Sequence, residues 1–183
     1  MERNSVIRMP LHHVNYIVDD IPNAVDRWVE TFGAGPFFWI GEHIEFDEAE
    51  FRGEPCVLDH SALIGCWGDI FVELSHIYEI SPSPFEHLFL GDRVNSNRVG
   101  HLGFVTPDEK SDRVRLDGLG MPQFFRASSG PVEVTFHEAP LLGHPIEVLP
   151  QAVEAIAAVA RGAAEGWDGG DPIRTMPAAL SAG

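Results

Sequence analysis

Basic residues are scarce in this chain. Only 12 Lys and Arg stand against 28 Asp and Glu, which leaves a formal net charge of −16. The few cations are scattered, with no basic patch. A surface of this sign excludes nucleic acid and anionic membranes as natural partners. Cysteine is almost absent too: Cys56 and Cys66 are the only two. Two thiols make no disulfide framework, so they read as reduced core residues of a cytoplasmic protein. No apolar run is long enough to cross a bilayer. The segment "MERNSVIRMP" lacks the apolar core of a signal peptide. What is present is ordinary for a globular protein: 183 residues, 44% apolar and 22% charged. That length suits one domain, or two small modules sharing a core.

Two segments resemble each other. The first, from His13, reads "HVNYIVDDIPNAVDRWVETFGAGP"; the second, from His101, reads "HLGFVTPDEKSDRVRLDGLGMP". Each opens on a histidine and an alternating apolar strand. Each then has an acidic turn, Asp19-Asp20 or Asp108-Glu109, a helix, and closing glycine at Gly33 or Gly120. This is the mark of an internal duplication, with a period longer than that of common solenoids. Asp20 and Pro22 are start signals for the first helix, and Ile21, Ala24, Val25, Trp28, Val29 and Phe32 make its apolar stripe. The second helix, near 111–119, has no comparable stripe and is inferred from equivalence.

Strand patterns follow each helix, around 37–46, 56–64 and 69–77 and again around 123–128, 131–138 and 144–149, with "GCWGD" as a hairpin turn. Each half therefore reads βαβββ. The expected fold class is α+β: two βαβββ modules forming curled mixed sheets around a cavity, plus a C-terminal helix. Residues 1–9 read as a tail. Modules at 10–80 and 98–150 are joined by a linker at 81–97, and 151–183 form the C-terminal helix and a loose tail from Asp168. The Ala-rich helix ends at Gly166 and has an apolar face for the domain or for a second subunit.

Side chains alternate along a strand. On that rule Val14, Tyr16 and Val18 share one face of the first strand, and His13 lies on the other. Val72 and Leu74 leave Glu73 opposite, Leu102 and Phe104 leave His101 opposite, and Ile146 and Val148 leave Glu147 opposite. The apolar faces call for helices. His13, Glu73, His101 and Glu147 then point into a common cavity. Two neutral imidazoles and two carboxylates suit one divalent ion: Zn, Ni, Co, Mn or Fe. A dication also relieves the repulsion and desolvation of two carboxylates in a half-apolar cavity. By the same parity His12 points away from His13, and His144 away from Glu147.

The stretches "LHHVNYIVDD", "FGAGPF", "FVELS", "GHLGFVTPD" and "LGHPIEVL" resemble the vicinal oxygen chelate superfamily, which includes glyoxalase I, methylmalonyl-CoA epimerase, extradiol dioxygenases and bleomycin-resistance proteins. The resemblance spans roughly residues 10 to 150. It implies two βαβββ modules curled around a metal cavity, and it maps ligands onto the same His13, Glu73, His101 and Glu147. It also leaves a homodimer open as the assembly.

A dication with open positions chelates neighbouring substrate oxygens and stabilises an enolate while a base moves the adjacent proton. The expected activity is therefore that of a metal-dependent lyase or isomerase acting on a small, largely apolar carbonyl compound. Glu147 is the first candidate for the proton shuttle and Glu73 the second. His43, Glu45, His60, His76, His137 and Glu138 are further candidates, more often rim or surface groups. Phe37, Phe38 and Trp39, with Phe104, Phe124 and Phe125, are the expected apolar lining of the substrate pocket. One rival is an extradiol-type Fe(II) dioxygenase using His13, His101 and Glu147; a ligating Glu73 argues against it by filling space that catechol and O₂ need. A second rival is a drug-binding protein without turnover, against which a full ligand set argues. No basic cluster marks a site for glutathione or for the phosphates of coenzyme A, although Arg52, Arg93, Arg98 and Arg126 are available.

Overall fold

A computed structural model describes residues 9–91, 97–177 and 180. Most of the expected N-terminal tail, and Arg93, lie outside the described residues. The duplicated pattern folds as two equivalent units. The first consists of β1 (Leu11–Ile17), α1 (Ile21–Phe32), β2 (Phe37–Ile44), β5 (Val57–Trp67) and β6 (Ile70–Ser81). A short hairpin, β3 (Glu48–Phe51) with β4 (Glu54–Pro55), is inserted between β2 and β5. The second unit consists of β7 (Arg98–Thr106), α3 (Glu109–Gly118), β8 (Gln123–Ser129), β9 (Val132–His137) and β10 (Ile146–Pro150). Two more helices, α2 (Ser83–Leu90) and α4 (Glu154–Ala164), and a last strand, β11 (Ile173–Thr175), complete the order.

All strands join one open mixed sheet in the order β11-β2-β5-β6-β1-β7-β10-β9-β8-β3-β4. The duplication shows in the pairing. β1 runs parallel to β6, β7 runs parallel to β10, and β1 meets β7 antiparallel at the centre. The four strands carrying His13, Glu73, His101 and Glu147 are therefore adjacent.

The helix α1 forms where the sequence signals it. The Asp20 carboxylate accepts the Asn23 amide at 2.7 Å, and Gly33 closes the helix in the left-handed region at φ 63°. Its stripe of Ile21, Ala24 and Val25 packs on Leu63, Val72 and Leu74, which cover the convex face of the sheet. α3 covers the convex face of the second unit more thinly, with Leu116 as its buried apolar residue against Ile146 and Val148.

Three elements differ from the sequence reading. The stretch 81–97 is not all linker, because Ser83–Leu90 forms α2 with Pro84 in its first turn. The hairpin β3–β4 leaves the first unit and pairs with β8 of the second. Within the expected loose tail, Ile173–Thr175 forms β11, which pairs parallel with β2. Of the two partners expected for the apolar face of α4 the structure shows the domain: Ala157 and Ala160 pack on Phe38, Ile64, Cys66 and Phe71. Among the described residues, no helix is long and apolar enough to cross a membrane.

Candidate metal centre

Register fixes which side chains share the concave face. β1 and β6 set His13 beside Phe71 and Asn15 beside Glu73, and β7 and β10 set Gly103 beside Glu147. His13, Asn15, Glu73, His101 and Glu147 thus face inward, while Val72, Leu74, Ile146 and Val148 face the helices. His13, His101 and Glu147 are each less than a tenth exposed.

The four residues converge on one point. His13 Nε2 lies 3.0 Å from Glu73 Oε2, 3.4 Å from Glu147 Oε2 and 3.1 Å from His101 Nε2. His101 Nε2 lies 3.4 Å from Glu73 Oε2 and 3.3 Å from Glu147 Oε2. One donor atom from each residue falls within 4.8 Å of all the others. Ligands bonded at about 2.1 Å sit about 3.0 Å apart at right angles and about 3.4 Å apart at tetrahedral angles. The observed edges match that range. The two imidazoles also aim their Nε2 atoms at each other and at carboxylates, an arrangement that places one cation's worth of lone pairs at a common centre. The group could hold a metal ion.

Burial opposes ionisation of Glu73, but hydrogen bonds and charge from His101 and His13 outweigh it and hold its carboxyl well below the usual range. Burial disfavours a charged His101, yet Glu147 and Glu73 push its pKa up to about 9. The lone pairs that sustain these two shifts are the ones a dication would take.

Glycine makes the convergence possible. A Cβ on Gly103 would fall 2.2 Å from the His13 ring, so that ring lies directly over the β7 backbone. A Cβ on Gly100 would strike Asn15 Oδ1 at the same separation. Both glycines flank His101, and any larger residue would push first-unit side chains out of the centre.

No protein-family profile and no curated protein matches the sequence. Among solved structures, methylmalonyl-CoA epimerase from Mycobacterium tuberculosis superposes with a TM-score of 0.51, covering 86% of this chain and 97% of that one at 17% identity. The chain shares the fold of that epimerase, as the resemblance to the vicinal oxygen chelate superfamily implies. A hypothetical protein from Bacillus halodurans C-125 aligns at 14% identity and TM-score 0.49, over 79% of this chain and 96% of that one. A Streptomyces coelicolor methylmalonyl-CoA epimerase in complex with 2-nitronate-propionyl-CoA aligns at 18% identity and TM-score 0.46, over 79% and 98%.

On this fold further elements cover the concave face on either side of the donors. α2 and the β3–β4 hairpin cover one flank, where Phe85 stacks on Phe125 at 4.8 Å and packs with Phe51. α4 covers the other. Between them a cavity of about 40 Å³ remains beside Glu73, His101 and Glu147. Its apolar walls are Phe46, Leu58, Ile77, Phe89, Val134 and Phe136; Asn15, His60 and Ser75 supply the polar ones.

The aromatic residues expected to line the pocket do not reach it. Phe37 and Trp39 face α1 on the convex side, by alternation along β2. Phe38 faces the concave side but lies under α4. Phe104 faces the α3 side. Phe124 and Phe125 lie in the core beneath α2. The lining aromatics are instead Phe46, Phe89 and Phe136. The last of these stands edge-on to His101 at 4.9 Å.

Of the additional candidates, His60 alone lines the cavity, with its Nδ1 buried and without a hydrogen-bond partner. Burial lowers its pKa, so the ring is neutral. The others are engaged elsewhere or exposed. His43 pairs with Asp59, His76 Nδ1 donates to the Val18 carbonyl, and His137 Nδ1 donates to the Met121 carbonyl. Glu138 pairs with Arg52, and Glu45 is exposed just beyond the end of β2. His144 turns its Nδ1 to the Pro145 carbonyl.

His12 is the residue that alternation misplaced. It does not point away: its Nδ1 lies 2.9 Å from His13 Nδ1. The β1–β7 ladder pairs Leu11 with Phe104 and His13 with Gly103, so His12 is the extra residue of a β-bulge. A bulge breaks the period of two and re-aims one side chain. Burial and the adjacent His13 lower the His12 pKa to about 4.

Proposed function

We propose that the protein is a metal-dependent lyase or isomerase that moves a proton beside the carbonyl of a small, largely apolar substrate. One observation carries this reading: four donor atoms from two repeated units meet within 4.8 Å of one another at the edge of a largely apolar cavity. His13, Glu73, His101 and Glu147 would hold the cation. A bound dication supplies Lewis acidity, which acidifies a C–H bond next to a chelated carbonyl.

The chain's own residues do the rest. Phe46, Leu58, Ile77, Phe89, Val134 and Phe136 exclude water and accept an apolar substituent. Glu147 takes and returns the proton, with Glu73 held ionised by the two histidines as the second carboxylate. Asn15 and Ser75, joined at 2.8 Å, offer polar contact on the β1–β6 wall.

A coenzyme A thioester is disfavoured as substrate, although methylmalonyl-CoA epimerases share the fold. Its phosphates want several free cations, whereas Arg52 is paired with Glu138 and Arg126 with Glu48, Glu50 and Glu133, and of the described candidates only Arg98 keeps a guanidinium nitrogen without a partner. The cavity between α2 and α4 is also small. Glu73, only 3.0 Å from His13, occupies a position that the dioxygenase alternative would need open.

Elemental analysis of purified protein, followed by incubation with small ketones in D₂O, tests the reading. One divalent ion per chain and deuterium incorporation beside the carbonyl without O₂ uptake are expected. Metal-free protein, or O₂ consumption with a catechol, overturns it.

A further inference from the structure

We propose that His12 is a positioning residue for the metal centre: it accepts the hydrogen bond that locks the His13 ring with Nε2 turned to the cation. The inference rests on the metal-site reading above and adds to it a residue that contacts no substrate.

The two nitrogens of His13 face different partners. Nε2 faces Glu73, Glu147 and His101, so it is the ligating atom. A neutral imidazole that ligates through Nε2 carries its proton on Nδ1. An acceptor for that proton fixes the rotation of the ring and keeps Nε2 turned to the centre. The atom in place is His12 Nδ1, 2.9 Å away. No carboxylate, carbonyl or water is needed on that side.

His12 is itself held to this task. It is 8% exposed, and its ring stacks on Phe71 with centroids 5.4 Å apart and planes inclined by 25°. It meets His13 edge-on, at 84° between the planes, as an in-plane lone pair aimed at a neighbouring N–H requires. Its own Nε2 is buried without a partner. A ring placed only for packing would be better served by phenylalanine. The bulge that turns His12 inward is also a local departure from regular pairing, and it lies directly beside the ligand.

The arrangement implies coupled tautomers. Without a cation, His13 Nε2–H donates to Glu73, and His12 Nδ1–H donates to His13 Nδ1. With a cation on His13 Nε2, that ring carries its proton on Nδ1 and donates to His12 Nδ1, and His12 carries its own on Nε2.

The second unit has no counterpart. His101 Nδ1 is buried without a hydrogen-bond partner, and the residue before it is Gly100. His12 is thus a support for one ligand, not a repeated element of the fold.

The test uses two substitutions in the full chain, titrated with Zn(II) and Co(II) against a competing chelator. His12→Phe keeps the stack on Phe71 and removes the acceptor. His12→Asn restores an acceptor oxygen close to the position of Nδ1. His12→Phe should weaken metal binding by about 10- to 100-fold, and His12→Asn should recover most of that loss. In wild-type protein, nitrogen-15 spectra of the histidines should show the His12 proton moving from Nδ1 to Nε2 when Zn(II) is added. Thermal melts report whether each variant is folded. Wild-type affinity in a folded His12→Phe, or equal losses in both variants, overturns the inference and leaves the metal site standing. Failure of the wild-type protein to bind either metal overturns the metal reading itself and this inference with it.

Discussion

The two repeated units contribute the same pair of donors from unequal supports. In the first, Glu73 sits inside the twelve-residue strand β6, paired along its length with β5 and over five residues with β1. His13 is backed by His12. In the second, Glu147 is the second residue of the five-residue strand β10 and follows a turn that exposes Leu141 and Leu142. His101 has nothing hydrogen-bonded behind it. One half thus holds its donors with a longer paired strand and a hydrogen-bonded histidine, and the other with a short strand and an unsupported one. A proton shuttle must move between substrate positions, whereas a structural ligand must not. On the proposed function that assigns Glu147 to the proton and Glu73 to the cation.

The largest expected effect separates those two roles. Glu147→Gln should lower deuterium exchange about 10²- to 10⁴-fold, the range of a lost general base, while the protein still takes up metal. Glu73→Gln should instead appear first as weakened metal binding, with exchange recovering at high metal concentration. If the two variants behave alike in both assays, the units are functionally symmetric and the contrast fails.

Acidity gives a second way to probe the cluster, with effects on the order of a few kcal/mol. In metal-free protein the His101 pKa stands near 9 against an ordinary 6.5, because Glu147 and Glu73 outweigh the burial that opposes its charge. A raised folded value contributes stability that is complete below 6.5 and is lost as pH rises through about 9. Glu73 has the opposite sign. Its depressed value contributes above the ordinary 4.5 and is lost as pH falls through its folded value. Metal-free protein should therefore melt highest between pH 4.5 and 6.5 and lose stability toward pH 9. Saturating Zn(II) should abolish the alkaline decline, since the metal binds the deprotonated ring. An equal decline with metal present would show that the cation does not engage His101.

The centre was legible in the sequence because period-2 alternation holds through β6 and β10 and at His101. Those strands are long or flanked by branched residues such as Val72 and Ile146, which must be buried against helices. Alternation failed at His12, where a bulge inserts one residue that no local pattern marks. The closing elements were illegible for other reasons. "SPSPFEHLFL" reads as linker because two prolines precede it, yet the second of them opens α2 and Phe85 and Phe89 anchor it. The pocket aromatics were misplaced because composition shows that rings are present, not which helix covers them. Phe37 and Phe38 are neighbours in sequence and lie on opposite faces of the sheet.

The next effect tests the contact between the units. Gly103 belongs to the second unit, but it is the first unit's His13 ring that occupies the space a Cβ would need, at 2.2 Å. Gly103→Ala should destabilise the fold by about 1–3 kcal/mol, as overpacking does, and should displace the ring from the centre. Thermal melts and a Co(II) titration read the two consequences separately. Metal affinity should fall further than stability alone predicts. Unchanged affinity would mean that the β7 backbone can retreat, making the second unit the yielding partner here as well.

The smallest effects lie on the convex face, remote from the donors. Asp20 caps α1 at 2.7 Å and Asp108 caps α3 at 3.2 Å. α1 buries Ile21, Ala24 and Val25, whereas α3 buries Leu116 as its one apolar residue and leaves Val114 68% exposed. Asp20→Ala should cost about 1 kcal/mol, since the turns it caps carry those three buried residues. Asp108→Ala should shift the melt less, because α3 can fray at its start with little core to lose. Val114→Lys should change stability by less than about 0.5 kcal/mol. None of the three should alter metal affinity, because these helices touch only the outward residues of the donor strands. A loss of affinity in Asp108→Ala alone would show that α3 holds β10 in place through Ile146 and Val148. The adaptability assigned to Glu147 would then depend on its helix rather than on the short strand and exposed turn.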